Sequence, residues 1–377
     1  MDAEDVIVGA GVYGSAVALE LARRGRDVLV LEAGTIAGGA SGGPGQRGVR
    51  ANGRDPRELP LARRASELWP GLADAIGGPT GYERIGHLQL LEEGAELDAA
   101  RRTVAEQRQH GVPTELLLGD EVRALEPSVS ERVVAAVHCP TDGVADHTAT
   151  TTSIAEAARR QGARIVQHTT VSGLRVERDG VVAVVTADGE DVGVRRSLLL
   201  LCNTGVPDLL ATAGCRLPVF TVLPQVLVTA PLDPVPVRHL VGHASRPLAL
   251  KALPGGAIMI TGGRLGREDP TGRRVTDPEQ VEANRADAAA MFPALADAPL
   301  TVATADRAEA ASVDLVPVVD RVPGTTNALF ATGWSGHGWA IAPAVAELLA
   351  AWVVEGRRPD LLAPFGLGRF GGTPTGS

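Results

Sequence analysis

The stretch Asp5-Val-Ile-Val-Gly9-Ala-Gly11-Val-Tyr-Gly14, running on through Ser15 to Arg24, Gly25 and Asp27-Val-Leu-Val-Leu-Glu32, decides the fold. Val6 to Val8 is a short apolar run of the kind a buried parallel strand needs. Gly9 permits a tight turn, Gly11 lets the backbone approach a pyrophosphate, and Gly14 allows close contact between helix and strand. Ala10, Val12 and Tyr13 share that turn. The helix that follows offers free N–H groups and a positive dipole end to phosphates. Gly25 closes it, Val28 to Leu31 give a second strand, and Glu32, followed by Ala33, stands where a carboxylate accepts from ribose hydroxyls. A lone G-x-G-x-x-G is weak, but strand, turn, helix, strand and acid in this order specify a dinucleotide-binding βαβ unit. The motif does not choose between a nicotinamide and a flavin dinucleotide.

The rest of the composition narrows the class. At 377 residues the chain is long for one core, so two structural units are expected. With 44% hydrophobic and 21% charged residues it is globular. A net charge of −9 and the lack of any Lys/Arg block argue against nucleic acid as a partner. Three scattered cysteines, Cys139, Cys202 and Cys215, make neither a disulfide framework nor a metal clamp, and His110, His138 and His147 lack ligand spacing, so no metal is expected. The chain is read as entering a strand within five residues of Met1, so no signal peptide is expected. The longest apolar stretch, Trp339 to Val354, contains Pro343 and Glu347 and falls short of the roughly 18 to 20 unbroken apolar residues of a membrane span. A soluble, cytoplasmic protein is the expectation. The sequence sets no oligomeric state.

Past Glu32 comes a glycine-rich loop, Gly38 to Arg50, read as irregular backbone that approaches a ligand. Helical patterns follow at 61–76, 96–110, 119–126 and 145–161, with strands at 86–91, 133–138, 164–167, 171–176, 181–186 and 197–202. Asp142 and Asp146 read as turn and helix-cap residues. From Leu217 to Leu265 short strands are punctuated by Pro and Gly and look antiparallel. Residues 276–298 return to helix, 314–319 and 328–331 to strand, and Pro343 to Glu355 to a helix opened by its proline. A disordered tail is expected over 371–377. The fold class is therefore α/β (α+β overall): a Rossmann-like dinucleotide domain from 1–85, 145–215 and 310–370, with a discontinuous second domain, 86–144 and 216–309, on a mostly antiparallel sheet.

Four separated blocks carry a resemblance: the βαβ start, the Gly-Ala-Ser loop ending in Arg47-Gly-Val-Arg50, the strand end Asn203-Thr-Gly205, and Ala331-Thr-Gly-Trp-Ser-Gly-His-Gly338. Together they resemble the D-amino acid oxidase superfamily, its glycine oxidase and sarcosine oxidase branch, over nearly the whole chain. The resemblance implies FAD, with Glu32 on the adenosine ribose, Val171 near the adenine, and Thr204 and Gly205 of the strand end Asn203-Thr-Gly205 among the cofactor-binding residues. Ala40, Ser41, Gly45, Gln46 and Arg47 would lie along the pyrophosphate and isoalloxazine. Gly333, Ser335, Gly336, His337, Gly338 and Trp339 would sit at the flavin pyrimidine. It implies oxidation of the C–N bond of a small amine or amino acid by hydride transfer to flavin N5, with oxygen or another acceptor taking the electrons. A flavin dehydrogenase acting on a non-carboxylate or imino acid metabolite, and a noncatalytic FAD-binding subunit of a heteromeric complex, are the alternatives. No cysteine lies in 300–319 and no histidine in 38–50, the places where relatives attach the cofactor, so FAD is expected to be noncovalent.

Two departures shape the substrate reading. Amino-acid-oxidising relatives carry an arginine five residues before the aspartate matching Asp314, where this chain has Glu309. Either Arg264, Arg307, Lys251 or Arg50 replaces the anchor, or the substrate lacks a free carboxylate there, or Glu309 pairs with a cationic substrate group. Sarcosine oxidases keep a lysine on the strand over the flavin; the matching 257–262 has none, which leaves an acceptor other than oxygen open. His337 is a candidate proton relay, and Trp334 and Trp339 either wall the substrate pocket or pack on the flavin. Arg50, Arg264, Glu309, Trp334 and His337 are thus the candidate catalytic residues.

Overall fold

The computed structural model describes residues 1–43 and 45–371. Two large sheets dominate it. In the first, parallel strands Asp2–Val8, Val28–Leu31, Arg164–Val166, Asp191–Leu200 and Ala328–Thr332 lie in spatial order third, second, first, fourth, fifth. Val318–Arg321 adds an antiparallel edge, and the hairpin Val171–Glu177 with Gly180–Thr186 hangs from the fourth strand. The register brings Val8, Leu31, Val166, Leu200 and Phe330 level at the carboxyl edge. Strand order reverses beside the first strand, and the crevice at such a reversal is where α/β sheets bind ligands.

Why these apolar runs form central strands is visible in what each face buries. Ile7, Val28, Val30, Leu199 and Leu329 pack on the first helix, Val12–Ala22, and the C-terminal helix, Gly338–Glu355. Val6, Val8, Leu29, Leu31, Leu198, Leu200 and Phe330 pack on the opposite side with Val206, Leu209 and Leu210. A strand covered on both sides has no place for polar alternation. The C-terminal helix is long and apolar enough to cross a membrane, but over half of it is buried inside the protein as one of these covering helices.

The second sheet has the order Leu300–Thr304, Val226–Thr229, Ile258–Thr261, Ala249–Ala252, Leu240–His243, His87–Leu91, Ala135–Cys139, Glu115–Leu118. All its pairings are antiparallel except that between 240–243 and 87–91. Alternation is clean here. Leu227, Leu250, Ile258 and Ile260 face a core with Ala288, Met291 and Phe292 near the end of the helix Pro278–Met291. Ala249, Lys251, Met259 and Thr261 face the other way, toward Arg47, Gly48 and the Ser335–His337 turn. The strands Val219–Val222 and Glu309–Ser312 pair beside both sheets, with Val222 opposite Glu309.

Several expected elements are corrected. The 61–76 helix is broken: Leu59–Leu68 ends at a 3₁₀ turn over Trp69–Gly71, because Pro70 lacks an amide to continue it. The glycine-rich loop is not wholly irregular, since Gln46–Val49 is a strand paired with Gly143–Asp146. The 145–161 helix starts at His147, with Asp146 accepting from the Ala149 amide as its cap. The 276–298 helix stops at Met291 and gives way to a 3₁₀ turn at Pro293–Leu295. The C-terminal helix starts at Gly338, five residues before Pro343, so the proline sits inside it. The tail expected over 371–377 falls outside the described residues after Gly371.

The expected strand at 314–319 is instead a turn around Asp314 before Val318–Arg321. Asp314 accepts from Arg369 Nε at 2.9 Å and from Arg57 Nη1 at 2.8 Å, pinning the C-terminal segment. Burial alone would raise its carboxyl; the Arg369 and Arg57 bonds win and hold it well below the usual carboxylate range. A depressed acid stabilises the fold above its unfolded pKa, near 4, and that stability is lost as pH falls through the folded value. Asp314→Asn is expected to lower Tm by about 1–3 °C at pH 7, the pair being partly screened, and the gap from wild type should narrow below about pH 4 in a Tm-against-pH series.

Candidate active site

At the carboxyl edge of the parallel sheet lies a cavity of about 550 Å³. Its floor is Gly9, Gly11, Val12 and Tyr13, one end is Glu32, Ala33 and Thr169 to Ser172, and the other is Trp334, Gly336, Gly338 and Trp339. Gly9 has φ +102°, and a Cβ there would stand 2.8 Å from the Leu201 carbonyl oxygen, so only glycine makes this turn. Gly14 is tighter still: its Cβ would lie 1.8 Å from the Gly9 carbonyl oxygen. Gly11 differs, because a Cβ there would meet no protein atom within 4 Å; the space it leaves belongs to the cavity. The first helix begins beside it with no side-chain cap and no acid in its first turn. Its N–H groups and dipole are free for an anion.

Glu32 accepts from the Ala10 amide at 2.7 Å and the Gly34 amide at 2.8 Å, which fixes its carboxylate in the wall of the cavity. The C-terminal helix also begins uncapped at the cavity's far end. A long slot with a carboxylate end, two open helix N-termini and a turn stripped of side chains fits a dinucleotide, and Trp334 and Trp339 give its far end aromatic walls. Of the expected cofactor residues, Gly9, Gly11, Val12, Tyr13, Glu32, Ala33, Ala40, Ser41, Arg47, Val171, Thr204, Gly205, Gly336, Gly338 and Trp339 line it.

Others on that expected set are placed elsewhere. Ala10 and Gly14 act through Glu32 and through close packing. Gly45 accepts from the His147 amide, and Gln46 is a buried strand residue paired with Asp146. Gly333 packs on Ser312 at φ +70°. Ser335 and His337 line a second cavity instead. The sequence reading missed Thr35, His147, Asn203, Asp208 and the Thr169–Thr170 pair; only Asn203, inside the quoted Asn-Thr-Gly, carried any signal.

The second cavity, about 690 Å³, lies between the glycine-loop strand and the antiparallel sheet. Ser41, Arg47, Glu309 and Gly336 line both cavities and mark where they meet. Arg47 organises the loop: its guanidinium donates to the carbonyls of Ser41, Gly43, Gly45 and Gln46, giving the glycines a fixed path. Burial, then Arg307, brings Arg47 down to about 10, still cationic near neutrality.

Glu309 sits at the junction, 5% exposed. It accepts from Ser41 Oγ at 2.6 Å, the Gly336 amide at 3.1 Å and Asn203 Nδ2 at 3.3 Å. Burial pushes its carboxyl above the usual range, against those three donors and Arg47, which pull it down. Arg50 faces the second cavity; the one hydrogen bond its guanidinium makes among the described residues is Nη1 to the Asn52 carbonyl at 2.5 Å. Burial, then Arg54, brings it to about 10. Asp142 accepts from the Ala51 and Asn52 amides at 2.8 and 3.0 Å and so fixes the turn that carries Arg50.

One candidate is corrected, and two are placed. Arg264 does not line the cavity; Asp287 and Gln280 of the 278–291 helix hold its guanidinium. Trp334 walls the first cavity rather than the second, stacked on Tyr13 with ring centroids 3.8 Å apart. His337 lines the second cavity, where burial, then Arg50 and Arg54, lowers it to about 3 and favours the neutral imidazole. The strand Ile258–Thr261 carries no lysine, as expected, yet its neighbour supplies one: Lys251 is the register partner of Met259 and lines the same cavity.

Known proteins are similar to this chain over nearly its whole length. The family model described as DAO, FAD dependent oxidoreductase, matches residues 6–352. The sarcosine oxidase subunit beta of Rhizobium meliloti is 27% identical, over 97% of this chain and 88% of that protein. The crystal structure of L-proline dehydrogenase from P. horikoshii superposes with a TM-score of 0.87 at 27% identity, covering 98% of both chains. Glycine oxidase from Geobacillus kaustophilus gives 0.85 at 26% identity, over 98% of this chain and 99% of that one. The match over residues 6–352, on a chain whose crevice is built for a dinucleotide, identifies the cofactor as FAD, and the chain belongs to the DAO family of FAD dependent oxidoreductases.

Proposed function

We propose that this enzyme oxidises the C–N bond of a carboxylate-bearing amine or amino acid, with the substrate in the second cavity and FAD in the first. The observation that carries the reading is the junction: Ser41, Arg47, Glu309 and Gly336 belong to both cavities, so a substrate beside Arg50 lies against the cofactor slot. When bound, FAD supplies a two-electron oxidant for a C–H bond next to nitrogen. Glu32 and the first helix N-terminus hold the adenosine and phosphate end; Arg47 and the Gly336–Gly338 amides face the other end, where positive potential favours negative charge. Residues 1–85, 145–215 and 310–370 form the FAD-binding part and 86–144 with 216–309 the substrate part. The unpaired cysteines fit the reducing cytoplasm.

The chain's own residues divide the substrate's needs. Arg50 anchors the carboxylate, replacing the arginine that relatives carry at the position of Glu309. Glu309 faces the amine nitrogen and takes its proton, because a C–H bond next to an ammonium does not give up a hydride equivalent readily. Arg50→Met is expected to raise the half-saturating concentration of carboxylate substrates roughly 10- to 100-fold, the worth of a charged hydrogen bond, with much less effect on carboxylate-free amines. Anaerobic bleaching of the holoenzyme against amino acids, N-methyl amines and carboxylate-free amines tests the reading. Bleaching by carboxylate-bearing amines supports it; a yellow protein that no amine bleaches overturns it. Peroxide release under air would mark oxygen as the acceptor, and turnover that requires a dye would mark another.

A further inference from the structure

We propose that the substrate carries a second acidic group, bound by Lys251 and Gln225 on the sheet wall of the second cavity, apart from the carboxylate at Arg50. This deepens the substrate reading above and rests on it. Lys251 is 5% exposed and stands on the face shared by Ala249, Met259 and Thr261, small or slender neighbours that leave its head group in the cavity. No salt bridge and no side-chain hydrogen bond involves it among the described residues, and no acid acts on its charge. The charge it feels is that of Arg47, another cation. A buried ammonium beside a like charge is costly unless an anion joins it.

A second, independent feature lies farther along the same sheet wall, two strands over from Lys251. Gln225, 2% exposed, lines the cavity with both Nε2 and Oε1 unpartnered. A buried amide left unsatisfied is expensive in the same way, and its Nε2 is a donor for an acid oxygen. Arg50 belongs to another wall. It lies on the turn after Gln46–Val49, and the charges around it are Arg54, Asp142 and Glu58. Of the cavity's lining cations, Arg246 is already neutralised by Glu92 and Asp287, whereas Glu309 is the one acid in the lining among the described residues. One carboxylate at Arg50 therefore leaves Lys251 and Gln225 without partners; an amino diacid satisfies both walls. Burial, with Arg47 beside it, brings the Lys251 ammonium to about 7, so an arriving anion would also draw a proton onto it.

The test is anaerobic reduction of the holoenzyme by pairs that differ only in the second acid: aspartate against asparagine, glutamate against glutamine, and N-methylglutamate against N-methylglutamine, in both enantiomers. The acid member of at least one pair is expected to reduce the flavin on the order of 10- to 100-fold faster at low concentration. Lys251→Met should collapse that ratio toward one, and Lys251→Arg should keep part of it. In the wild-type holoenzyme, glutarate should perturb the flavin spectrum at lower concentration than pentanoate, with proton uptake at pH 8. Amides that work as well as acids, a ratio untouched by Lys251→Met, or bleaching confined to monoacid amines would overturn this proposal and leave the substrate chamber standing. A holoenzyme inert to every amine would overturn both.

Discussion

Gly11→Val is expected to fold normally and to hold no FAD. The position adopts φ −68°, ψ −175°, which any residue can take, and a Cβ there meets no protein atom within 4 Å. The backbone geometry and the space around a Cβ in the folded apoprotein both allow a side chain there. The valine methyls would instead fill the space over the first helix N-terminus, where the dinucleotide phosphates must approach. An affinity loss of about 100-fold, roughly 2.7 kcal/mol, is enough to strip the cofactor during purification. The flavin-to-protein absorbance ratio and an apoprotein melting curve check this; the first should collapse and the second should stay within a few degrees of wild-type apoprotein. Gly14→Val is the contrasting case. Its Cβ would overlap the Gly9 carbonyl, and that variant is expected not to fold. A Gly11→Val protein that stays fully yellow would place the phosphates elsewhere.

Glu309→Gln is expected to slow anaerobic reduction by about 100-fold near neutral pH, a typical contribution of a positioned base. The amide keeps the size of the carboxylate and can still accept from Ser41 or the Gly336 amide, so the junction keeps its shape. It cannot take a proton from the amine. Raising the pH until the amine is neutral in solution should recover much of the rate, because the substrate then arrives without the proton. A uniform loss at every pH would show that Glu309 shapes the cavity without handling the proton.

The sequence was most legible where physics is local. Strand, glycine turn, helix, strand and Glu32 are contiguous, and each position has one steric or electrostatic reason, so the cofactor slot followed from 28 residues, Asp5 to Glu32. The aromatic Gly333–Trp339 turn was likewise found, although its helix start was misread: Pro343 suggested a first turn, whereas the uncapped Gly338 opens the helix. The substrate cavity was harder because its walls meet only in three dimensions. Arg264 looked available, but its neutralising Asp287 is 23 residues away on a helix whose packing no local pattern reveals. Lys251, by contrast, was named among the candidate anchors, and its face was legible locally. In Leu248-Ala-Leu250-Lys-Ala252-Leu253 the leucines at 248 and 250 alternate with Ala249 and Lys251, a period-two signal that puts the lysine on the face away from the core. Gln46–Val49 gave no such sign, since its four residues, Gln-Arg-Gly-Val, pair with Gly143–Asp146 only once the fold is made.

The most direct test of the whole account is the colour of the purified protein before and after acid precipitation. A yellow protein with a flavin spectrum, whose colour passes entirely into the supernatant as FAD, is the result expected of a noncovalent dinucleotide in the Gly11–Glu32 slot. A folded, colourless protein that takes up no added FAD, or a pellet that keeps the colour, would contradict it.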